Sequence, residues 1–351
     1  MPKVRVGLDI GSTAVRAAEM TAGDVPTVLR AAQVPLPDGA VENGEVRQPE
    51  AVAEALRELW SRGGFKSKQV YLGVGNQRVV VREVSLPYLP PKELRDALGF
   101  QVQEFIPMPV DEAQLDFDML GEFEQEGRRM VRILLVAAQK GMVNAIVDAA
   151  TAAKLDLLGL DLNPFALVRA VGTGDVGMDL EDTGDEAVID IGAHVTNICV
   201  HARQIVRFVR ILPSGGRDVT LAVARGLGVE DDVAERLKRG EAVEGGPSLE
   251  DVRRVAMSRA ASFVDEIRSS LEFYSAQAQG ARIGRVLITG GGSKLEGFLD
   301  LLRERIPVTV ERGAVFMRAR STLSLSDEAL AEAEPVLAVA VGLGIPGRDG
   351  K

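Results

Sequence analysis

The sequence predicts an α/β protein in which one domain is repeated twice around a ligand cleft. Two segments carry that reading and a third completes it. VGLDIGSTAVRAAE (6–19) and AVIDIGAHVTNICV (187–200) align with Asp9 on Asp190, Gly11 on Gly192, Thr13 on His194 and Val15 on Thr196. Each copy is a buried apolar run, an Asp, a small-residue turn and a second alternating run, the pattern of a β-hairpin with a carboxylate at its entrance. RVLITGGGSKLEGFLDLL (285–302) reads as a buried strand, a glycine turn and a helix. Gly290, Gly291 and Gly292 let the backbone approach a ligand closely and reach φ > 0. Ser293 is placed to cap the helix that follows, whose amino end favours anions.

The elements follow in order. A strand is predicted at 27–34, then a helix at 49–62 with Val52, Leu56, Leu59 and Trp60 on one side, ended by Gly63 and Gly64. Strands follow at 69–74 and 79–86. SLPYLPPKEL (85–94) holds three prolines and marks a boundary. Beyond it the pattern predicts a helix at 93–105, a strand at 114–120, a turn around Gly127, a strand at 130–138, a helix at 141–153 and a strand at 155–162. Residues 85–162 therefore read as a small α/β module inserted between the two hairpins. The second half repeats the plan with a strand at 205–212 and a helix from Gly216. A long helix at 248–279 opens with Ser248 and Asp251 as a capping box and carries the stripe Val252, Val255, Ala256, Phe263, Ile267, Leu271 and Tyr274. Residues 335–345 read as the helix closing the first-half domain, with Gly342 permitting close packing at the hinge. The polar tail after Gly347 is expected to fray. The implied domains are a first-half core at 1–84, completed by about 163–185 and 321–347, the module at 85–162, and a second-half core at 186–320 with a helical subdomain at about 226–282.

Composition narrows the function classes. The 351 residues are 46% hydrophobic and 26% charged, as in a soluble globular protein of two or three domains. Aromatics at 4% and a net charge of −10 argue against a base-stacking surface or a general nucleic-acid footprint. Cys199 is the single cysteine, so no internal disulfide or Cys/His metal pattern arises, and it reads as a core residue. MPKVRVGLDIG enters a strand at once, and no run of about eighteen apolar residues occurs. The expectation is a cytoplasmic protein without direct membrane insertion.

The hairpins carry the chemistry. Backbone amides of Gly11, Ser12 and Thr13 and the two hydroxyls suit a phosphate, although the same stretch alone is an ordinary turn. Asp9 and Asp190 suit a hydrated divalent cation, Mg²⁺ or Mn²⁺, which uses few carboxylates. Arg16 reads either as a phosphate contact or as a solvated edge residue. Gly192 repeats the role of Gly11, His194 occupies the second tip as a phosphate-side or backbone-positioning contact, and Thr196 is a candidate phosphate donor. His201 is expected at the surface. Glu235 and Lys238 stand at i, i+3, which by base rate is a surface ion pair.

The order of hairpin, hairpin and strand–GGG–helix resembles the nucleotide site of the actin, heat-shock and sugar-kinase superfamily. That resemblance implies duplicated ribonuclease-H-like, actin-like ATPase domains around a nucleotide cleft. It implies ATP with a divalent cation on the hairpins. It also implies Glu235 on ribose, Lys238 at the base and Gly215-Gly216 near the ligand. The run SLPYLPPKELRDALGFQVQEFIPMPVDEAQLDFDML (85–120) and the segment ILLVAAQKGMVNAIVDAATAAKLDLLGLDLNPFALVRA after it are similar to the PilM family of type IV pilus assembly. Membership implies slow or no ATP turnover, binding of the N-terminal cytoplasmic peptide of PilN against the module, and links to other platform and motor proteins at the inner membrane. Arg16 stands where relatives often carry Lys. Two alternatives remain at this point. An FtsA-like cell-division protein is expected to end in an amphipathic helix, whereas this chain ends GIPGRDGK. A small-molecule kinase needs a base in the cleft, for which Asp161 or Asp9 is available and neither is selected.

Overall fold

The computed structural model describes residues 3–23, 25–173, 184–278 and 281–347. The tail after Gly347, the stretch 174–183 within the expected 163–185 segment, and Gln279 at the expected end of the long helix lie outside them.

The first half is a six-stranded sheet. Strands β1 (Lys3–Ile10), β2 (Ala14–Ala22) and β3 (Thr27–Pro35) form a meander, followed by the small hairpin β4 (Val41–Glu42) and β5 (Glu45–Val46). Helix α1 (Pro49–Gly63) buries Val52, Leu56 and Leu59 and stops at Gly64, whose φ of 62° is the left-handed conformation that glycine adopts without strain. Strand β6 (Gln69–Val74) then pairs parallel to β1. Alternation decides the faces. Val6 and Leu8 of β1 point into a core with Leu56, Leu59 and Leu72, while Ala18 and Met20 of β2 point into a second core on the other side of the sheet.

The residues expected to form one inserted module divide between two sheets. Strands β7 (Val79–Pro87), β8 (Ala113–Gln125) and β9 (Arg128–Gln139) form a three-stranded sheet in the order β7-β9-β8, covered by helix α2 (Pro91–Gln101). Helix α3 (Lys140–Ala152) instead buries Met142, Val143 and Ile146 against α1 and the first sheet. Strand β10 (Asp156–Leu162) pairs parallel with β6 at the edge of that sheet. The inserted block is therefore β7 to β9, and residues 140–162 belong to the first-half core. The helix expected at 93–105 ends at Gln101 and is followed by a separate 3₁₀ turn at Gln103–Phe105.

Helix α4 (Asn163–Val171) leads to the second half, whose hairpin is β11 (Asp185–Ile191) and β12 (Thr196–Ala202). Strand β13 (Ile205–Leu212), helices α5 (Gly216–Leu227), α6 (Asp231–Lys238) and α7 (Leu249–Gln277), strand β14 (Ile283–Thr289), helix α8 (Phe298–Arg305) and strand β15 (Thr309–Arg312) complete it. Its sheet runs β13-β12-β11-β14-β15. Ser248 caps α7 by accepting from the Asp251 amide, as its sequence requires. The short strand β16 (Arg320–Ser321) returns to β3 in the first sheet. Helix α9 (Asp327–Gly344) follows, starting eight residues before Pro335, where the sequence pattern placed its beginning. Ser326 caps it, and Pro335 lies inside it. No helix among the described residues is long and apolar enough to cross a membrane.

Helices α4 and α9 join the halves. One apolar core contains Ala166, Leu167 and Val171 of α4, Ala338 and Val341 of α9, and Val188, Cys199 and Leu287 of the second sheet. Cys199 is fully buried, and burial pushes its thiol well above the usual range, which suits a packing residue rather than a nucleophile. Glycine makes the helix contact possible: a Cβ at Gly342 would lie 1.9 Å from the Ala166 carbonyl oxygen. Gly342→Ala must push α9 off α4, and we expect it to lower stability by about 3 kcal/mol, the upper range for overpacking. A urea midpoint unchanged from wild type would contradict this contact.

Candidate functional site

The two hairpins are built alike. In the first, Asp9 pairs with Arg16 and the Gly11 amide donates to the Ala14 carbonyl at 3.1 Å. In the second, Asp190 pairs with Asn197 and the Gly192 amide donates to the Val195 carbonyl at 2.9 Å. The hairpin-closing bond takes the Gly11 amide. Both tips, both carboxylates, Arg16 and His194 line one cleft of roughly 1870 Å³ between the halves.

Two glycine turns converge on the second hairpin. Gly216 donates to the Gly192 carbonyl at 2.9 Å, and a Cβ on Gly215 would meet that oxygen at 2.5 Å. Gly290 has φ 85°, and a Cβ there would lie 2.4 Å from the Ile191 carbonyl oxygen and 2.6 Å from an Asp190 carboxylate oxygen. A Cβ on Gly292 would lie 2.4 Å from the Ile191 side chain. Close approach of backbone to backbone therefore requires glycine at 215, 290 and 292, where the sequence pointed to a close approach to ligand. Gly216 and Gly292 face each other across the cleft wall, and Gly291 lines it. Ser293 does not cap the following helix. Gly291–Lys294 forms a 3₁₀ turn, Gly297 stands at the α8 N-cap, and the Ser293 hydroxyl donates to the Gly290 carbonyl at 2.7 Å.

Glu235 and Lys238 are more than a surface pair. They meet at 2.6 Å on the cleft wall, and the Lys238 ammonium also donates to the Thr220 hydroxyl at 2.9 Å and the Gly216 carbonyl at 3.1 Å. The Thr220 hydroxyl and Arg239 donate to the same carboxylate. Burial works to raise the Glu235 pKa, but Lys238 and these donors outweigh it and hold the carboxyl below its ordinary value. The network ties α6 to the first turn of α5.

Two expectations fail on strand parity. Thr196 pairs with Ile191, one residue out of phase with Asp190, so it points away from the cleft; its hydroxyl donates to the Ser214 carbonyl at 2.7 Å and is fully buried. His201 pairs with Glu186, in phase with Asp190 but at the far end of the strand. It is 1% exposed, with its Nε2 3.1 Å from the Glu186 carboxylate, and is not a surface residue. Asp161 is held by Arg169 and by the Leu162 amide and lies outside the cleft lining, which leaves it no role as a base there.

The electrostatics mark the cleft floor. Burial raises the Asp9 carboxyl above its usual range against the pull of Arg16, 3.5 Å away. Burial also pushes Asp190 up to about 6, opposed by the Asn197 hydrogen bond and reinforced by Asp9. His194 is held below its ordinary value by burial and by Arg217. Among the described residues no group of three or more His, Cys, Asp or Glu side chains could hold a metal ion. Two buried carboxylates without a third fit a cation that keeps most of its water, as Mg²⁺ does, rather than a protein-caged ion.

Sequence reasoning missed three cleft residues. Asn197 was legible as the partner of Arg16 in the repeat. Asn163 begins α4, and Gly73 and Gly75 leave space for its amide. Asp218, at the third position of α5, accepts from the Gly215 amide at 2.8 Å, half of a capping box, since glycine offers no side chain for the other half.

Comparison with known proteins agrees with this architecture. The family described as Type IV pilus assembly protein PilM matches residues 7–347. The chain superposes on a chain of the PilM-PilN type IV pilus biogenesis complex with a TM-score of 0.83 and 28% identity, covering 98% of each. The cell division protein FtsA of Pseudomonas aeruginosa is 24% identical over 378 residues, spanning 97% of this chain and 88% of FtsA. The ethanolamine utilization protein EutJ from Carboxydothermus hydrogenoformans shares the fold with a TM-score of 0.59 at 17% identity, over 99% of this chain and 91% of EutJ. The match along nearly the whole length decides between the families that the motifs left open: the chain belongs to the PilM family of type IV pilus assembly proteins.

Proposed function

We propose that this chain is an ATP-binding scaffold of the type IV pilus inner-membrane platform that receives the N-terminal cytoplasmic peptide of PilN. The observation that carries the ATP reading is the pair of duplicated hairpins, each presenting a carboxylate and a turn of small residues to one cleft. Mg²⁺, or Mn²⁺ in its place, supplies the charge that two buried carboxylates and a triphosphate require. Asp9 and Asp190 would hold its water shell, Ser12, Thr13 and Arg16 the phosphates, and Glu235 and Lys238 the ribose and base. Family membership supports a chain whose ATP turnover is slow at most. Family membership supports the pilus role, and likeness to the PilM-PilN complex supports PilN as the partner. Attachment to the inner membrane then runs through PilN and other platform and motor proteins from the cytoplasmic side. Calorimetry of the full chain with the PilN N-terminal peptide, with and without Mg-ATP, tests the whole reading, and no binding in either condition overturns the scaffold role.

The ribose assignment has its own test. Glu235→Ala is expected to weaken ATP about tenfold, roughly 1.4 kcal/mol, while free triphosphate loses less than twofold. Equal loss for both ligands would remove Glu235 from the ribose.

A further inference from the structure

Glu235 and Lys238 are held from behind by a residue that does not line the cleft. Thr220 stands in the second turn of α5 and is fully buried, while Glu235 and Lys238 of α6 line the cleft wall. Their hydrogens can be assigned one by one. A lysine ammonium has three and only donates. Those of Lys238 go to Glu235 Oε2 at 2.6 Å, the Thr220 hydroxyl at 2.9 Å and the Gly216 carbonyl at 3.1 Å. None is left for a ligand, so Lys238 meets a nucleotide through its methylene stem.

The Thr220 hydroxyl accepts from Lys238, so its own single hydrogen must turn elsewhere. Two acceptors are in reach, Glu235 Oε2 and, at 3.2 Å, the Gly216 carbonyl. The carboxylate is the closer and the charged one, and it takes the hydrogen. Glu235 Oε2 then has both lone pairs occupied, by Lys238 and by Thr220. Oε1 accepts from Arg239 Nε at 2.8 Å, which leaves it one lone pair. A carboxylate fixed at one oxygen and open at one site of the other takes a single donor from the cleft.

We propose that Thr220 is a positioning residue for the nucleoside: with Lys238 it pins Glu235 Oε2, so that Oε1 presents one acceptor site to one ribose hydroxyl. Selectivity for the sugar then resides in a buried hydroxyl on α5 as well as in the carboxylate on α6. This inference rests on the ribose reading above and adds what orients Glu235 and how many hydroxyls it reads.

The test is calorimetry of the full-length chain with Mg²⁺ and four ligands: ATP, inorganic triphosphate, 2′-deoxy-ATP and 3′-deoxy-ATP. Thr220→Val keeps the volume and removes the hydroxyl, and it is expected to weaken ATP about tenfold, the scale of one hydrogen bond to a charged group. Triphosphate should change less than about twofold in the same variant, and Thr220→Ser should bring ATP back to within about twofold of wild type. In a Glu235→Ala background, Thr220→Val should add less than about twofold, because the group it orients is gone. On wild type, one deoxy analogue should bind about tenfold more weakly than ATP and the other as ATP does, and this arm needs no variant to fold. Equal losses of ATP and triphosphate in Thr220→Val would leave Thr220 a role in the fold alone and overturn the proposal. So would wild-type ATP affinity in Thr220→Val, failure of Thr220→Ser to restore it, full additivity with Glu235→Ala, or equal behaviour of the two deoxy analogues. If Glu235→Ala binds ATP as wild type does, the ribose reading falls and this inference with it, while the cleft remains a nucleotide site. If wild type binds neither ATP nor triphosphate, the nucleotide reading itself falls.

Discussion

Asp190→Ala is expected to abolish the stabilisation that Mg-ATP confers on the wild-type chain. A ligand that binds only the folded state at one hundred times its dissociation constant stabilises by about 2.7 kcal/mol. That shift depends on a cation able to bridge the protein and the phosphates, and Asp190 is the carboxylate whose hairpin carries no cationic partner for it. Protonation gives the same loss reversibly. The Asp190 carboxyl sits at about 6 in the folded protein because burial outweighs the Asn197 hydrogen bond and Asp9 adds to it. With its pKa raised on folding, this group favours the cation-free native state fully below about pH 4, its unfolded value, and that contribution is lost as pH rises through 6. A cation needs the carboxylate deprotonated, so it competes with the proton. Mg-ATP stabilisation should therefore grow between pH 5 and 7 in wild type and be absent throughout in Asp190→Ala. Calorimetric melting with and without Mg-ATP at three pH values checks both points. A full shift in the variant would remove Asp190 from the cation site.

The hairpins were legible because a strand reports its own period. Asp9 and Asp190 follow apolar runs and precede turns of small residues, and the repeat confirms each reading with the other. Parity within those strands also held information that motif matching passed over. Thr196 pairs with Ile191 and Asn197 with Asp190, so the register across the turn chooses Asn197 for the cleft, and counting by twos along β12 from Asn197 places His201 on the same face as Cys199. Partnership between strands was not legible. Nothing within Asp156–Leu162 says that its neighbour is β6, whose sequence lies on the other side of the whole inserted sheet. Helix α9 was shortened for another reason. Pro335 looks like a first-turn residue, since proline lacks the amide a helix interior uses. In the fold its own carbonyl accepts from the Gly290 amide and the Thr289 hydroxyl, at 3.0 Å each, so this position links α9 to the glycine turn.

Excising residues 79–138 and joining Arg78 to Gln139 is expected to abolish PilN-peptide binding while leaving the Mg-ATP shift in place. The junction comes from the structure. The Gln139 amide donates to the Arg78 carbonyl at 3.2 Å, and the Arg78 side chain donates to the Gln139 amide oxygen at 2.6 Å, so the inserted sheet leaves and re-enters the core at one point. Removing 85–162, the block drawn from sequence, would also take α3 and β10, and with them Met142, Ile146 and Leu155 of the first-half core. Such a chain would lose binding by unfolding. The narrower excision has its own cost. One face of the inserted sheet packs on α2, but Leu134 turns the other way, into the core shared with α4 and the second sheet, where Val81 and Val209 also pack. Some loss of stability is therefore expected, and the retained Mg-ATP shift is the control that the cleft survives. The motive for placing the peptide beside this sheet is the surface there. Strand β8 is one of the two outer strands of the inserted sheet, and Phe100 on α2, which packs on that sheet, is 81% exposed. An extended peptide gains both backbone hydrogen bonds and apolar pockets from such a margin as it orders. The contact of Glu83 on β7 with Arg207 on β13, at 3.9 Å, joins the inserted sheet to the half that carries Asp190. Calorimetry of the PilN peptide on wild type and on the excised chain decides the matter. Undiminished binding to an excised chain that still responds to Mg-ATP would move the peptide site elsewhere.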